Sequence, residues 1–327
     1  MSRGVVSLAY VVCLLAAADA AAQAQKPHRI GWLTPAPAGF GDRREGFMSE
    51  LTKRGGGPAG RLVLEWRQPA GVFDRELDRF PEWAAELAQL DVDVIVTMGA
   101  RATLAALAAT RTIPIVFIDV EELVASGLVT SPGRPVGNVT GFASPRADLT
   151  EKQLALLQRM VPGLTHVAVL FDPREPGAIA LLDRTRAVAT SLGLTLRPYE
   201  VRSSRDFQTV LVAAKQGGAQ AVHVQWFDWM IFHLHDLPQL AQLYRLPLTS
   251  TSSNLTEAGG LMSHQADTED LLGRAAGLVD RILRGAKPAD IPVAQPAIYR
   301  LVINLKTTQA LGLSVPASLP SWAELIE

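Results

Sequence analysis

Cysteine is almost absent from this chain. Cys13 is the single one among 327 residues, and it lies in an apolar N-terminal stretch, preceded by Tyr10-Val11-Val12. A lipoprotein signal places small residues before its lipidated cysteine, so lipid anchoring is not expected. If that stretch is removed, no thiol remains, which excludes disulfides, thiolate metal sites and cysteine nucleophiles. An excess of charge is lacking too: 31 Lys and Arg stand against 32 Asp and Glu, a formal net charge of −1. No run of like charge resembles a nucleic-acid arm, so nucleic acid is not expected as a partner. After the N terminus, no run reaches the roughly 20 apolar residues that cross a bilayer. G-x-S-x-G, H-E-x-x-H, G-x-x-x-x-G-K-[ST] and a post-strand G-x-G-x-x-G are all missing. No catalytic residue and no cofactor are therefore expected. The best metal candidate, Asp228, His233, His235 and Asp236 in "DWMIFHLHD", has its histidines two apart, on different faces of a helix, whereas ligation uses i, i+3 or i, i+4. No metal site is expected there, and His223, inside an apolar strand, reads as a core histidine.

The first residues, "MSRGVVSLAYVVCLLAAADAAAQAQ", carry one positive charge at Arg3, an apolar core from Val5 to about Ala18 and the cleavage pattern Ala22-Gln23-Ala24. This is the layout of a secretory signal peptide, residues 1–24, on a soluble exported protein. Beyond it, apolar runs alternate with helical patterns. "HRIGWLT" ends near Thr34 as a strand, a helix follows from about Asp42, "RLVLEWR" is a strand, and Asp74 to Leu90 reads as a helix. The run Val92–Val96 ends at Gly99, an Ala-rich helix follows, and Ile113–Val120 is a strand. "NVTGFAS" is another strand, and Asp148–Met160 a helix. Then the alternation restarts with "HVAVLFDP", helix Gly177–Leu192, "LTLRPYEV", helix Asp206–Lys215 and "AQAVHVQW". A helix of about Asp236–Tyr244, "LPLTSTS", "GGLMS" and helix Thr268–Leu283 follow, then a proline-spaced linker, "GAKPADIPVAQP", and a closing strand and helix. Repeated βαβ units give an α/β protein of two doubly wound parallel-sheet lobes, with an interlobe cleft at the strand ends.

Strand-end positions are the candidate ligand contacts: Thr34, Asp172, Trp226, Asp228 and Thr251. The helix start at Gly99, Ala100, Arg101 and Thr103 offers free N–H groups and the positive end of the helix dipole to an anion such as a carboxylate. Glu122 in the acidic loop after "IPIVFID" could receive an ammonium, and His264 is placed where "GGLMS" would point into the cleft. Trp226 and Trp229 read equally as ligand contacts or as packing.

Several segments, in order, resemble a known family: "GRLVLEWRQPAG", "DVDVIVTMGA", "SGLVTSPGRPVGNVTGFAS", "EKQLALLQRMVPGLTHVAVLFDP", "EAGGLMS" and "VDRILRGAKPADIPVAQPAIYRLVINLKTTQALGLSVPASL". They are similar to ABC transporter substrate-binding proteins of the tryptophan-binding type. The resemblance implies a type I periplasmic-binding-protein fold with a hinge, closing on a small molecule without catalysis. It also implies an ABC permease and ATPase as partners; the signal peptide sets the expected location as the periplasm, and a monomer is expected. The expected lobes are 25–144 with about 267–291, and 145–266 with about 292–327. The family's Gly-Asp-Pro-Val loop reads Glu121 to Val124 here, and its Met-Ser-Tyr-Gly reads Met262 to Gln265. A membrane-sensor role and an exported α/β enzyme are the alternatives.

Overall fold

Near-continuous apolar strands set the architecture, because a parallel sheet covered on both faces has no polar side to alternate with. The computed structural model describes residues 26–37, 43–57, 61–70, 74–125, 128 and 137–327. The expected signal peptide and Asp42 lie outside the described residues.

The first half forms β1 (His28–Leu33), α1 (Arg43–Lys53), β2 (Leu62–Arg67), α2 (Phe80–Gln89), β3 (Val94–Met98), α3 (Gly99–Ala109), β4 (Ile115–Val120) and β5 (Val139–Ala143). Its five strands are all parallel, in the order β2-β1-β3-β4-β5. The second half runs α4 (Arg146–Met160), β6 (His166–Phe171), α5 (Ala178–Ser191), β7 (Thr195–Glu200), α6 (Asp206–Gln216) and β8 (Ala221–Val224). It continues with α7 (Asp236–Leu243), β9 (Leu248–Ser250), α8 (Ser253–Glu257), β10 (Met262–Ala266), α9 (Thr268–Leu283), β11 (Tyr299–Asn304), α10 (Leu305–Ala310) and β12 (Glu324–Ile326). Seven strands form the second sheet in the order β12-β11-β10-β9-β8-β6-β7, with β10 and β11 antiparallel.

All five residues of β3 are buried, since successive side chains go to opposite, equally covered faces. Ile30, Trp32, Val94 and Val96 pack on Phe47 and Leu51 of α1 and on Leu271, Leu272, Ala275 and Val279 of α9. The other face meets α2 and α3 through Trp83, Leu87, Ala102 and Ala106. Helix α9, late in the chain, is thus a covering layer of the first sheet, whereas β11 and β12 belong to the second.

Three expectations need correcting. Asp74–Leu90 is not one helix: a 3-10 turn spans Asp74–Arg79, and the α-helix begins at Phe80 with Pro81 at its start, where a missing N–H costs nothing. Strand β8 ends at Val224, so Gln225, Trp226 and Phe227 form an irregular segment before the 3-10 turn Asp228–Phe232. Strand β10 runs on to Ala266 and pairs with β11 along its whole length, which places His264 in mid-strand. The proline-spaced linker lies alongside β5: Ala294 exchanges backbone hydrogen bonds with Gly141 and Ala143, and the Thr140 hydroxyl donates to Ile291 O, 2.8 Å.

Candidate ligand-binding site

The C-terminal ends of strands from both sheets meet across one cavity of about 840 Å³, counted out to its mouth. Strand ends of α/β sheets are where small-molecule sites form. From the first sheet come Thr34, Pro35 and Ala36 after β1, Met98 at the end of β3 with Gly99 following it, and Ile118 and Asp119 of β4. From the second come Trp226, Asp228 and Ile231 after β8, Thr251 and Ser252 after β9, and Gln265 of β10. Arg43, at the start of α1, and Ser144, Arg146 and Leu149, where the chain enters α4, complete the walls with Asn254, Thr268 and Leu271.

Arg146 is the electrostatic centre of one wall. It is only 8% exposed, so its charge must be met inside the protein. Nη2 donates to Asp119 Oδ2 at 2.9 Å, and Nε lies 3.3 Å from Glu121 Oε2. Burial opposes its charge, but the carboxylates of Glu121 and Asp119 outweigh burial and hold the guanidinium firmly protonated. Nη1 is buried and has no partner. The backbone is arranged to deliver these acids. Between Phe117 and Val120 the β4–β5 register shifts, a bulge that re-aims a side chain, and Asp119 takes a left-handed φ of 57°. Across the bulge, Gly141 is obligatory, because a β-carbon there would lie 2.0 Å from Phe117 O. For Asp119, burial would raise the carboxyl pKa, yet Arg146 and a hydrogen bond from Ser144 pull it below the usual range. Glu121 behaves oppositely: burial, aided by Asp119, Glu175 and Glu122, lifts it to about 7 against the pull of Arg146. Arg43 is half-buried near Asp119 and Glu269, and desolvation lowers its pKa.

Asp228 organises the opposite wall. It is 7% exposed, its backbone N–H donates to Glu175 Oε1 at 3.2 Å, and Oδ2 is buried without a partner. Burial first, then the Glu175 carboxylate, raise its pKa well above the usual value, although Arg101 and Arg146 oppose this. Glu175 is raised as well, again chiefly by burial. Arg101 Nη2 donates to Glu175 at 3.2 Å, so α3 of the first half is tied to the loop after β6 of the second. Glu122 and Arg184 make a second tie at 2.6 Å, from the β4 loop to α5. With the Arg146 pairs, these contacts hold the two sheets together around the cavity.

The structure brings together Thr34, Gly99, Trp226, Asp228 and Thr251 in the cavity wall and leaves the other candidates outside it. The helix start at Gly99 does face the cavity, but a β-carbon on Gly99 would sit 3.4 Å from Asp228 Oδ1; the protein's own carboxylate already faces that end. Ala100 does not line the cavity, and Arg101 turns to Glu175. Thr103 is fully buried and donates to Gly99 O at 2.7 Å, a contact within the helix turn. Glu122 is taken by Arg184. Asp172 is closed off: Arg174 and the Trp229 indole N–H, at 2.7 Å, use its oxygens. His264 packs beside Tyr299 and Trp322, with ring centroids 6.2 and 6.0 Å away, and burial drops its pKa to about 4. Strand alternation gives the cavity to its neighbour Gln265 instead.

The two tryptophans divide. Trp226 lines the cavity, while Trp229 stacks on Phe207 at 5.7 Å and packs on Phe227 at 4.5 Å. His223 is buried between the Thr150 and Thr249 hydroxyls, its pKa pushed down to about 4 by burial. Among the described residues no group of three or more His, Cys, Asp or Glu could hold a metal ion, and no helix is long and apolar enough to cross a membrane. Sequence reasoning missed Arg43, Arg146, Asn254 and Gln265. Arg146 had a signal, a cation directly after a strand and a proline in "FASPR", but starting the helix at Asp148 left it in a connector.

Residues 78–325 match a family model described as ABC transporter substrate binding protein. The tyrosine-binding protein of Clostridioides difficile (strain R20291) is 21% identical over 270 residues, covering 83% of this chain and 76% of that protein. The ABC domain in complex with L-Trp from Streptococcus pneumonia superposes with a TM-score of 0.82 at 22% identity, covering 92% of this chain and all (100%) of that one. The ligand-free, open structure of a substrate binding protein with adhesive properties from Clostridium difficile gives a TM-score of 0.68 at 21% identity, over 92% of this chain and 99% of that chain.

Proposed function

Since the chain belongs to the ABC transporter substrate binding protein family, a solute-binding rather than an enzymatic class, we propose that it captures a zwitterionic amino acid in the interlobe cavity. The observation that carries this reading is a guanidinium and a carboxyl group with unspent bonds in one buried site. Arg146 Nη1 and Asp228 Oδ2 are both without partners, and both residues line the cavity. A buried polar atom left unpaired costs about 1–3 kcal/mol, and an α-carboxylate on Arg146 with an α-ammonium on Asp228 removes both costs at once. The relatives named for tyrosine and crystallised with L-Trp fit the same ligand class.

Further parts of the reading follow from the family. Residues 1–24 are a signal peptide, the mature chain works in the periplasm, and it delivers its ligand to an ABC permease and ATPase. Residues 25–144 with about 267–291 form one lobe, and 145–266 with about 292–327 the other; support comes from α9 packing on the first sheet and β11 and β12 joining the second. Lobe closure around the ligand uses the Arg101–Glu175 and Glu122–Arg184 ties at the rim.

Calorimetric titration with tyrosine and tryptophan, each compared with its N-acetyl and carboxamide derivative, tests the proposal. At least one free amino acid should bind, and blocking either end should abolish binding. Equal binding of the blocked derivatives would remove the zwitterion from the account.

A further inference from the structure

The cavity also restricts where a ligand side chain can go. With the ammonium at Asp228, beyond β8, the neighbouring strand ends are β6 on one side and β9, then β10, on the other. The β6 side is shut. Asp172 is consumed by Arg174 and Trp229, Trp229 is wedged between Phe207 and Phe227, and no residue at the end of β6 lines the cavity. The side chain therefore runs over β9 and β10, about 5 and 10 Å from β8 at the usual strand spacing.

That path is two-sided. Met98, Leu149, Ile231 and Leu271 are apolar lining of the cavity, whereas Thr251 after β9 and Gln265 of β10 are polar lining at those strands. Gln265 already has a partner at each polar atom: its Oε1 accepts from the Ser253 N–H at 2.5 Å and its Nε2 donates to the Ser253 hydroxyl at 3.2 Å. Thr251 is not. Its Oγ1 is buried with no hydrogen-bond partner, a cost that an apolar ligand would leave in place.

We propose that the ligand side chain has an apolar body ending in a hydroxyl or amide, and that Thr251 Oγ1 is the specificity-determining group that bonds it. This rests on the zwitterion reading, because the ammonium at Asp228 fixes where the side chain starts. A site holding an unspent hydroxyl discriminates against an isostere that cannot answer it, more strongly than an apolar pocket discriminates by size.

Three matched pairs of differing reach test the idea by calorimetric titration: threonine against valine, glutamine against norleucine, and tyrosine against phenylalanine. In at least one pair the polar member should bind about tenfold tighter or more. Thr251→Val should narrow that ratio to within about threefold by weakening the polar member alone, and Thr251→Ser should restore it, with thermal melts showing both variants folded. Ratios near one in every pair, or a preference that Thr251→Val leaves intact, overturn the proposal. If neither tryptophan nor any of the six amino acids binds, the zwitterion reading falls and takes this one with it, whereas binding of tryptophan alone, or binding without discrimination, defeats this one alone.

Discussion

Replacing Asp228 by Asn should move ligand affinity and ligand-free stability in opposite directions. Asn keeps the shape and the backbone N–H bond to Glu175, but it removes a carboxylate whose Oδ2 has no partner in the ligand-free protein. A hydrogen bond to a charged group contributes about 1.5–3 kcal/mol, so the dissociation constant should rise by roughly 10- to 150-fold at 1.4 kcal/mol per decade. Stability has the other sign. The folded-state pKa of Asp228 is raised, by burial first and then by Glu175, so the folded protein holds a proton that the unfolded chain gives up. That contribution is complete below the unfolded pKa, near 4, and is lost as pH rises toward the folded value. At neutral pH the uncharged variant therefore escapes this loss, and its ligand-free melting temperature should equal or exceed that of the wild type. A proton on Asp228 also competes with the ligand ammonium, so wild-type affinity should weaken as pH falls, and that dependence should flatten in the variant. Titration calorimetry and scanning calorimetry between pH 5 and 8 measure both effects. An unchanged dissociation constant, or a variant that melts lower while binding as before, would refute the assignment of Asp228 to the ligand.

Four further outcomes follow. Arg146→Met leaves Glu121 without its cation in a largely buried wall, while Asp119 keeps about a third of its side chain exposed, so unfolding should become easier by no more than about 3 kcal/mol, the low end for a broken buried pair, read from denaturant titration; a smaller loss than for an exposed arginine would contradict the buried-pair geometry. Glu121 has a folded pKa lifted to about 7, mainly by burial, so ligand-free stability should decline from pH 4.5 to 7, and Glu121→Gln should lessen that slope by up to about 3 kcal/mol. Arg101→Met cuts the tie to Glu175 and should enlarge the ligand-free radius of gyration in small-angle scattering, where an identical curve would show that the pair does not hold the lobes. His264→Phe should leave affinity unchanged while Gln265→Leu weakens it, because the second residue lines the cavity and holds Ser253 and the start of α8 in place; the reverse order in titration would overturn the strand register.

Much of the fold was legible because parallel strands buried on both faces leave uninterrupted apolar runs, such as Ile115–Ile118, and helices between them keep a 3.6-residue period. Helix Thr268–Leu283 was read with its observed bounds, since Asp267 caps it by accepting from the Asp270 N–H at 2.8 Å. What periodicity cannot show is which strand extends by antiparallel pairing. β10 runs past "GGLMS" because β11, more than thirty residues later, hydrogen-bonds along it, and that single extension moved the cavity from His264 to Gln265. The site was half legible for a related reason. Strand ends are recognisable one at a time, whereas the partner of a charge is a tertiary fact. Arg101, Glu122 and Asp172 all look available in the sequence, yet Arg101 and Glu122 are spent on Glu175 and Arg184 from distant elements, and Asp172 on neighbouring Arg174 and distant Trp229. Arg146 looks like a connector residue until the bulge in β4 turns Asp119 toward it.

The most direct test of the account is the identity of whatever the protein carries. Protein purified from the periplasm under native conditions, washed, denatured and analysed by mass spectrometry should release one small molecule bearing a free α-amino group and a free α-carboxylate, in up to equimolar amount and chemically unaltered after rebinding. Release of a ligand lacking either group, such as a sugar or a phosphate ester, would contradict the pairing of Arg146 and Asp228 on which the account rests.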